Sequence, residues 1–257
     1  MLNTSKIKFA SMFLTLILAI TTLVACQSAP ASNQLTLFVA AGLQKPMDAT
    51  IEGFKQETKA EITVSYASTG SLYTQIQQGQ PCDLYFTADW IYNEKMEKEL
   101  NLVDTNYKFL NDNVVLIVSK SAASKVTSVN DLVKSGVAVA VAVEEAPIGA
   151  YSVKALKNLG IWDQMNTIGT VKARPATVNQ VALMVQQDQV DAGLVYSSTA
   201  HGVSLEPVYV FGTDLTGEVV FGAVVVKNGN VKLAKEFYDY AYEHASEFVK
   251  YGWKICK

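Results

Sequence analysis

Between Tyr66 and Ile76 the chain reads Tyr-Ala-Ser-Thr-Gly-Ser-Leu-Tyr-Thr-Gln-Ile, so Ser68 and Thr69 stand where an apolar strand pattern ends and a helical one begins. That placement makes an anion cradle. The first N–H groups of a helix have no partner within it and carry the positive end of the peptide dipoles, and neighbouring hydroxyls add further donors. A small dianion can be held there without any formal positive charge. Ser and Thr also cap helices for purely structural reasons, so the segment gains weight only from the other residues it is read with. Covalent chemistry is poorly supported. The run Tyr196-Ser197-Ser198-Thr199-Ala200-His201 offers hydroxyls and an imidazole, but adjacent positions do not align as a triad and no GxSxG elbow accompanies them. The only histidines are His201 and His244, too few for a ligand cluster, and Cys82 and Cys256 have no CxxC partner. The residues predict neither an enzyme nor a resident cofactor or metal.

Charge narrows the partners. The formal net charge is −3, and there is a single arginine, Arg174, which argues against a basic nucleic-acid surface and against phosphate clamps built from arginine forks. Residues 1–25 read as an export signal, with Lys6 and Lys8 before an apolar run from Phe9 to Ile20 that is too short for a convincing membrane span. Leu23-Val24-Ala25-Cys26 fits the lipobox of bacterial lipoproteins, which implies cleavage before Cys26, a lipid on its thiol and a polar tether over 26–33. The expected location is extracytoplasmic, on the bacterial membrane. An oxidising compartment permits Cys82 and Cys256 to pair, and sequence leaves that open.

The elements that would position the cradle alternate. Leu35–Ala40, Glu61–Tyr66 and Asp83–Thr87 read as strands, with helices over Lys45–Thr58, Ser71–Gln78 and Asn93–Leu100 between and after them. A second series follows: strands at Val114–Val118, Val137–Val143 and Ala192–Tyr196, with helices opened by Asn130, over Ile148–Leu159 and over Thr177–Asp188. Val219–Val226 is another strand, and helices near Val231–Tyr242 and His244–Tyr251 close the chain. This predicts an α/β fold of two lobes, each a mainly parallel sheet flanked by helices. Lobe I is expected to hold 34–112 and about 205–257, and lobe II about 113–204. In open α/β sheets the ligand lies beyond the carboxyl ends of the strands, which here would place it between the lobes.

Several landmarks occur in order: Phe38-Val39-Ala40-Ala41-Gly42-Leu43, Ala67-Ser68-Thr69-Gly70-Ser71-Leu72, Asp83-Leu84-Tyr85-Phe86-Thr87-Ala88-Asp89, Ala146-Pro147-Ile148-Gly149-Ala150-Tyr151, Val178 with Val181-Ala182-Leu183, Ala192-Gly193-Leu194-Val195-Tyr196, Phe237-Tyr238-Asp239-Tyr240 and Tyr251-Gly252-Trp253. In this register, from about Leu35 to the C-terminus, the chain resembles the periplasmic molybdate-binding protein family, the solute-binding component of molybdate ABC transporters. The resemblance implies a type II periplasmic-binding-protein-like fold and a monomer that delivers molybdate, and tungstate of similar size and charge, to an ABC permease. It also implies a ligand set of neutral donors: Gly42 in the turn after the first strand, Thr69 with Ser68 beside it, backbone N–H groups at Ile148 and Val178, and the phenol of Tyr196.

The chemistry agrees with that set independently, since a fully ionised tetrahedral oxyanion offers only acceptors, and none of the six positions carries an acid. Family members commonly have Ser at the position of Gly42, an Asp at that of Thr199 and Ala at that of Cys82. The missing hydroxyl removes one hydrogen bond to a charged group, a difference of about 1.5–3 kcal/mol, and bears on ion preference. An enzyme on the same scaffold, and a surface lipoprotein without transport function, are the alternatives from other classes.

Overall fold

The computed structural model describes residues 33–256, which fall in one compact unit; the export signal, Cys26 and most of the tether lie outside the described residues. Two sheets organise it. Apolar, β-rich runs form β1 (Gln34–Ala40), β2 (Glu61–Ala67) and β3 (Leu84–Thr87), with β1 pairing in parallel to both neighbours. On the other side of β3 the sheet turns antiparallel, through β10 (Val219–Val226) to β4 (Val103–Asp112) and the short β11 (Lys254–Ile255), giving the order β11-β4-β10-β3-β1-β2. The second sheet has the order β7-β6-β8-β5-β9, from β5 (Val114–Val118), β6 (Val139–Ala140), β7 (Val171–Ala173), β8 (Ala192–Tyr196) and β9 (Tyr209–Val210). Its β6 is parallel to β7 and β8, and its β5 is antiparallel to β8 and β9.

Both sheets are therefore mixed rather than mainly parallel. The antiparallel strands are those that carry the chain between lobes or return it, and they need no crossover helix. The second sheet also runs past residue 204, because Tyr209 and Val210 pair with Leu116 and Val115. The chain crosses between lobes at Asn113, directly between β4 and β5, and again between β9 and β10.

Helices α1 (Gln44–Thr58), α2 (Thr69–Gln77) and α3 (Trp90–Lys98) follow β1, β2 and β3 in the first lobe. In the second lobe α4 (Pro147–Asn158), α5 (Trp162–Ile168), α6 (Val178–Gln186) and α7 (Ser197–Gly202) flank the sheet. Then come α8 (Thr213–Thr216), α9 (Val231–Glu243) and α10 (Ser246–Val249). α3 begins at Trp90, three residues before the start read from sequence, because Asp89 caps it and accepts from the N–H of Ile91 at 3.0 Å. Within Val137–Val143 only Val139–Ala140 is regular strand; Val141 and Val143 instead donate to Ala173 and Pro175 across a shifted register.

The core is continuous through both lobes. β5 and β10 are buried at every position, which fits their unbroken apolar runs. Aromatic side chains fill the first lobe, with Phe86, Phe109, Phe237 and Phe248 in edge and tilted contacts 4.9–6.3 Å apart. Cys82 and Cys256 are both buried and unpaired, so no disulfide joins them.

Candidate functional site

The carboxyl ends of β1, β2 and β3 in one lobe face the N-termini of α4 and α6 and the end of β8 in the other. They enclose a cavity in which the centre of a water-sized sphere has about 20 Å³ to occupy. That is room for about one or two waters or one small ion. Gly42, Ser68, Thr69, Ile148, Val178 and Tyr196 all line it, so the structure brings all six sequence-predicted residues to one place. Small side chains form the remainder of the wall, among them Ala40, Ala67, Ala88 and Ala146. Among the described residues no Lys, Arg, Asp or Glu lines this cavity. A larger groove of about 350 Å³ lies beside it, also between the lobes, and shares only Gly42 with it. The convergence of donors makes the small cavity the site.

Each donor is freed by its local structure. Ser68 is the N-cap of α2: its Oγ accepts from the N–H of Ser71 at 3.2 Å and lies 2.7 Å from Ser71 Oγ. Thr69 opens the helix, and its hydroxyl oxygen accepts from the N–H of Ala88 at 3.1 Å, which leaves its own proton to donate elsewhere. α4 starts with Pro147, whose fixed φ suits the first helical position and which has no N–H, so Ile148 supplies the first free amide. That turn comes close because Gly149 has no side chain; a Cβ there would collide with the carbonyl of Val143. α6 carries a capping box in which Thr177 accepts from Gln180 N–H at 3.3 Å and Gln180 accepts from Thr177 N–H at 3.1 Å. The box leaves the N–H of Val178, at the first helical position, without a capping partner.

Tyr196 ends β8 with its ring packed edge-on against Phe221 at 5.1 Å and is 1% exposed. Burial pushes its phenol well above the ordinary tyrosine value, so the O–H remains a donor at any physiological pH. In the structure it donates to the carbonyl of Ala88 across the cleft at 3.3 Å. Gly42 sits in a 3-10 turn, Ala41–Leu43, after β1, and a Cβ built on it would lie 3.3 Å from Val178 Cγ1 and 4.0 Å from Tyr196 Cδ2. The missing side chain would thus point across the cleft at two other site residues.

Two acids adjoin lining residues in sequence: the exposed Glu145, before Ala146, and the half-buried Asp89, after Ala88. Burial raises the pKa of Asp89, opposed by hydrogen bonds from Ile91 N–H and the Tyr151 hydroxyl. Arg174 is elsewhere, stacked over Trp162 at 5.3 Å and 3.9 Å from Glu144, beside a different groove. His201 and His244 pack against Tyr251 and Tyr240, and neither lines the cavity. No group of three or more potential metal ligands occurs among the described residues.

Sequence reading missed the residues that bridge the lobes around the cavity. Asn179 Nδ2 donates to the Ala41 carbonyl at 2.7 Å, Lys45 Nζ to the Gly202 carbonyl at 2.6 Å, and the Tyr92 hydroxyl to the Glu145 carbonyl at 3.2 Å. Their acceptors are main-chain carbonyls, which leave no mark in residue types.

A family model for bacterial extracellular solute-binding proteins matches residues 35–254, both lobes and the cleft between them. The chain belongs to that family. Its members are solute carriers rather than enzymes and work outside the cytoplasm. The chain is 29% identical over 235 residues to the molybdate-binding protein ModA of Escherichia coli, covering 87% of this chain and 90% of that one. It is 30% identical over 258 residues to a putative ABC transporter substrate-binding lipoprotein, YvgL, of Bacillus subtilis, covering 94% and 96%. The solved structure of the Azotobacter vinelandii periplasmic molybdate-binding protein superposes with a TM-score of 0.76 at 18% identity, over 87% of this chain and all of that one. The last likeness is one of fold, and it identifies the two-lobed architecture as the type II binding-protein form.

Proposed function

We propose that this solute-binding protein captures molybdate, and with it tungstate, in the cavity between its lobes and delivers the ion to an ABC permease. The observation that carries the reading is the composition of the wall: hydroxyls, a phenol that stays protonated and amides at helix starts, with no charged side chain among the described residues that line the cavity. Such a wall suits an ion that has acceptors only. A ligand that kept a proton would require an acceptor on the wall, and a carboxylate there would repel a full dianion. Gly42, Ser68 and Thr69 would hold the ion from one lobe, and Ile148, Val178 and Tyr196 from the other. Binding and lobe closure then form one equilibrium. The name of the Escherichia coli relative supports the choice of ion, and that of the Bacillus subtilis relative supports both the transporter partner and a lipid anchor, here on Cys26.

Gly42 favours one further reading, an oxyanion other than molybdate, because the hydroxyl usual in the resembled family is absent. One experiment addresses both. Isothermal titration with molybdate, tungstate, sulfate and phosphate should give tight one-to-one binding for the first two only. Tight binding of sulfate or phosphate instead would replace the molybdate reading with the second, and binding of none would remove both.

A further inference from the structure

We propose that Asn179 is a positioning residue for the bound ion, a latch whose single cross-cleft hydrogen bond sets two of the backbone donors; the inference rests on the oxyanion reading above. Asn179 follows Val178 directly, and Ala41, whose carbonyl accepts from Asn179 Nδ2 at 2.7 Å, directly precedes Gly42. One bond therefore spans the cleft between the residues adjoining two site amides, one from each lobe. The Ala41 carbonyl also accepts the N–H of Gln44, so the side chain from the other lobe completes its second acceptor direction.

Nothing in α6 itself requires asparagine at this position. The helix is capped by Thr177 and Gln180, and asparagine within a helix is a mediocre former. The remaining role for its amide is the contact with the other lobe. That contact exists only when the lobes are closed, so it adds to the closed state and to nothing else. The apparent affinity for an ion held by both lobes scales with the closed population, and the latch acts through that population. Lys45, which joins the lobes elsewhere, from α1 to the Gly202 carbonyl in α7, is exposed and can turn its ammonium to water, so it contributes less.

The test is titration and stopped-flow release of molybdate from the wild-type protein and from Asn179→Ala, Asn179→Asp and Lys45→Ala, with small-angle scattering at graded ion concentration. Asn179→Ala should bind about tenfold more weakly, chiefly through faster release, and should compact only at higher molybdate. Its ligand-free melting midpoint should stay within about 2 °C of wild type, which separates a latch from a general structural role. Asn179→Asp should lose more, about a hundredfold, since it removes the donor and brings a like charge toward the dianion. Lys45→Ala should change affinity by less than about threefold. Wild-type affinity and release in Asn179→Ala would overturn the latch while leaving the ion assignment standing. A wild-type protein that binds none of the four oxyanions would overturn the assignment, and the latch with it.

Discussion

Gly70, in the first turn of α2, faces the main-chain carbonyl of Glu145 across the cleft so closely that a Cβ on it would collide with that oxygen. The same carbonyl accepts from the Tyr92 hydroxyl, so it is held in place and cannot move aside without losing a bond. Gly70 has no positive φ, so a side chain there is compatible with the helix; it would meet the Glu145 carbonyl of the other lobe and, within its own lobe, the Tyr92 hydroxyl, the far end of a side chain that can turn aside. Gly70→Ala should therefore obstruct closure and leave each lobe folded. The expected result is a loss of about 5- to 150-fold in molybdate affinity, matching 1–3 kcal/mol of overpacking, with little change in ligand-free melting. A variant that binds as tightly as wild type would show that the lobes close less far than the structure has them.

Tyr196 brings a phenol from the second lobe to the cavity. Its phenol has a single protein acceptor, the Ala88 carbonyl at 3.3 Å, so removing the hydroxyl costs the fold little. Tyr196→Phe should weaken molybdate by about 10- to 150-fold, the range for a hydrogen bond to a charged group. Because burial keeps the phenol protonated, the wild-type affinity should show no step from this group between about pH 6 and 9. Titration across that range checks both statements, and a deprotonation step abolished in the Phe variant would contradict them.

The site was more legible in the sequence than the architecture around it. Ser68 and Thr69 could be placed because they lie where a strand pattern gives way to a helical one, a local signal, whereas Gly42, Ile148, Val178 and Tyr196 were placed by the family resemblance. β4 left no such signal: Val103–Asp112 mixes Thr105, Asn106 and Lys108 with Tyr107, Phe109 and Leu110, and becomes a strand through pairing with β10 more than a hundred residues later. β7 and β9, of three and two residues, are likewise defined by their neighbours. The antiparallel half of each sheet was invisible for the same reason, since strand direction depends on where the chain recrosses at Asn113 and after Val210. Asn179 was unreadable because its partner is a carbonyl that every residue carries.

Gly42→Ser supplies the hydroxyl that the resembled family has and this chain lacks. The added Cβ would meet Val178 Cγ1 at 3.3 Å, a contact relieved by a few tenths of an ångström of movement, and Gly42 needs no positive φ. The hydroxyl would point across the cleft toward Val178 and Tyr196, where the ion is proposed to sit. Molybdate affinity should rise by about tenfold, the worth of one moderate hydrogen bond. A fall in affinity would mean that the Val178 contact outweighs the new donor, and that Gly42 is matched to its valine.

Asp112 sits where the chain passes from one lobe to the other, buried, with Oδ1 accepting from Ser197 Oγ and Asn113 N–H and Oδ2 without a partner. Burial raises its pKa above the ordinary 3.8, against the pull of those hydrogen bonds. Between the unfolded and folded values the native protein keeps a proton that the unfolded chain has released. Its contribution to stability is therefore full below 3.8 and is lost as pH rises through the raised folded value. Asp112→Asn keeps the acceptor at Oδ1 and the shape, and cannot ionise. Urea denaturation of both proteins from about pH 4 to pH 7 should show the wild type losing stability relative to the variant as pH rises. Asp89 is also raised by burial but is present in both proteins, so the difference between the two curves isolates the hinge carboxyl. Parallel curves would mean that Asp112 is no harder to ionise in the folded protein than in the unfolded chain, and that burial at the crossing imposes no cost on its charge.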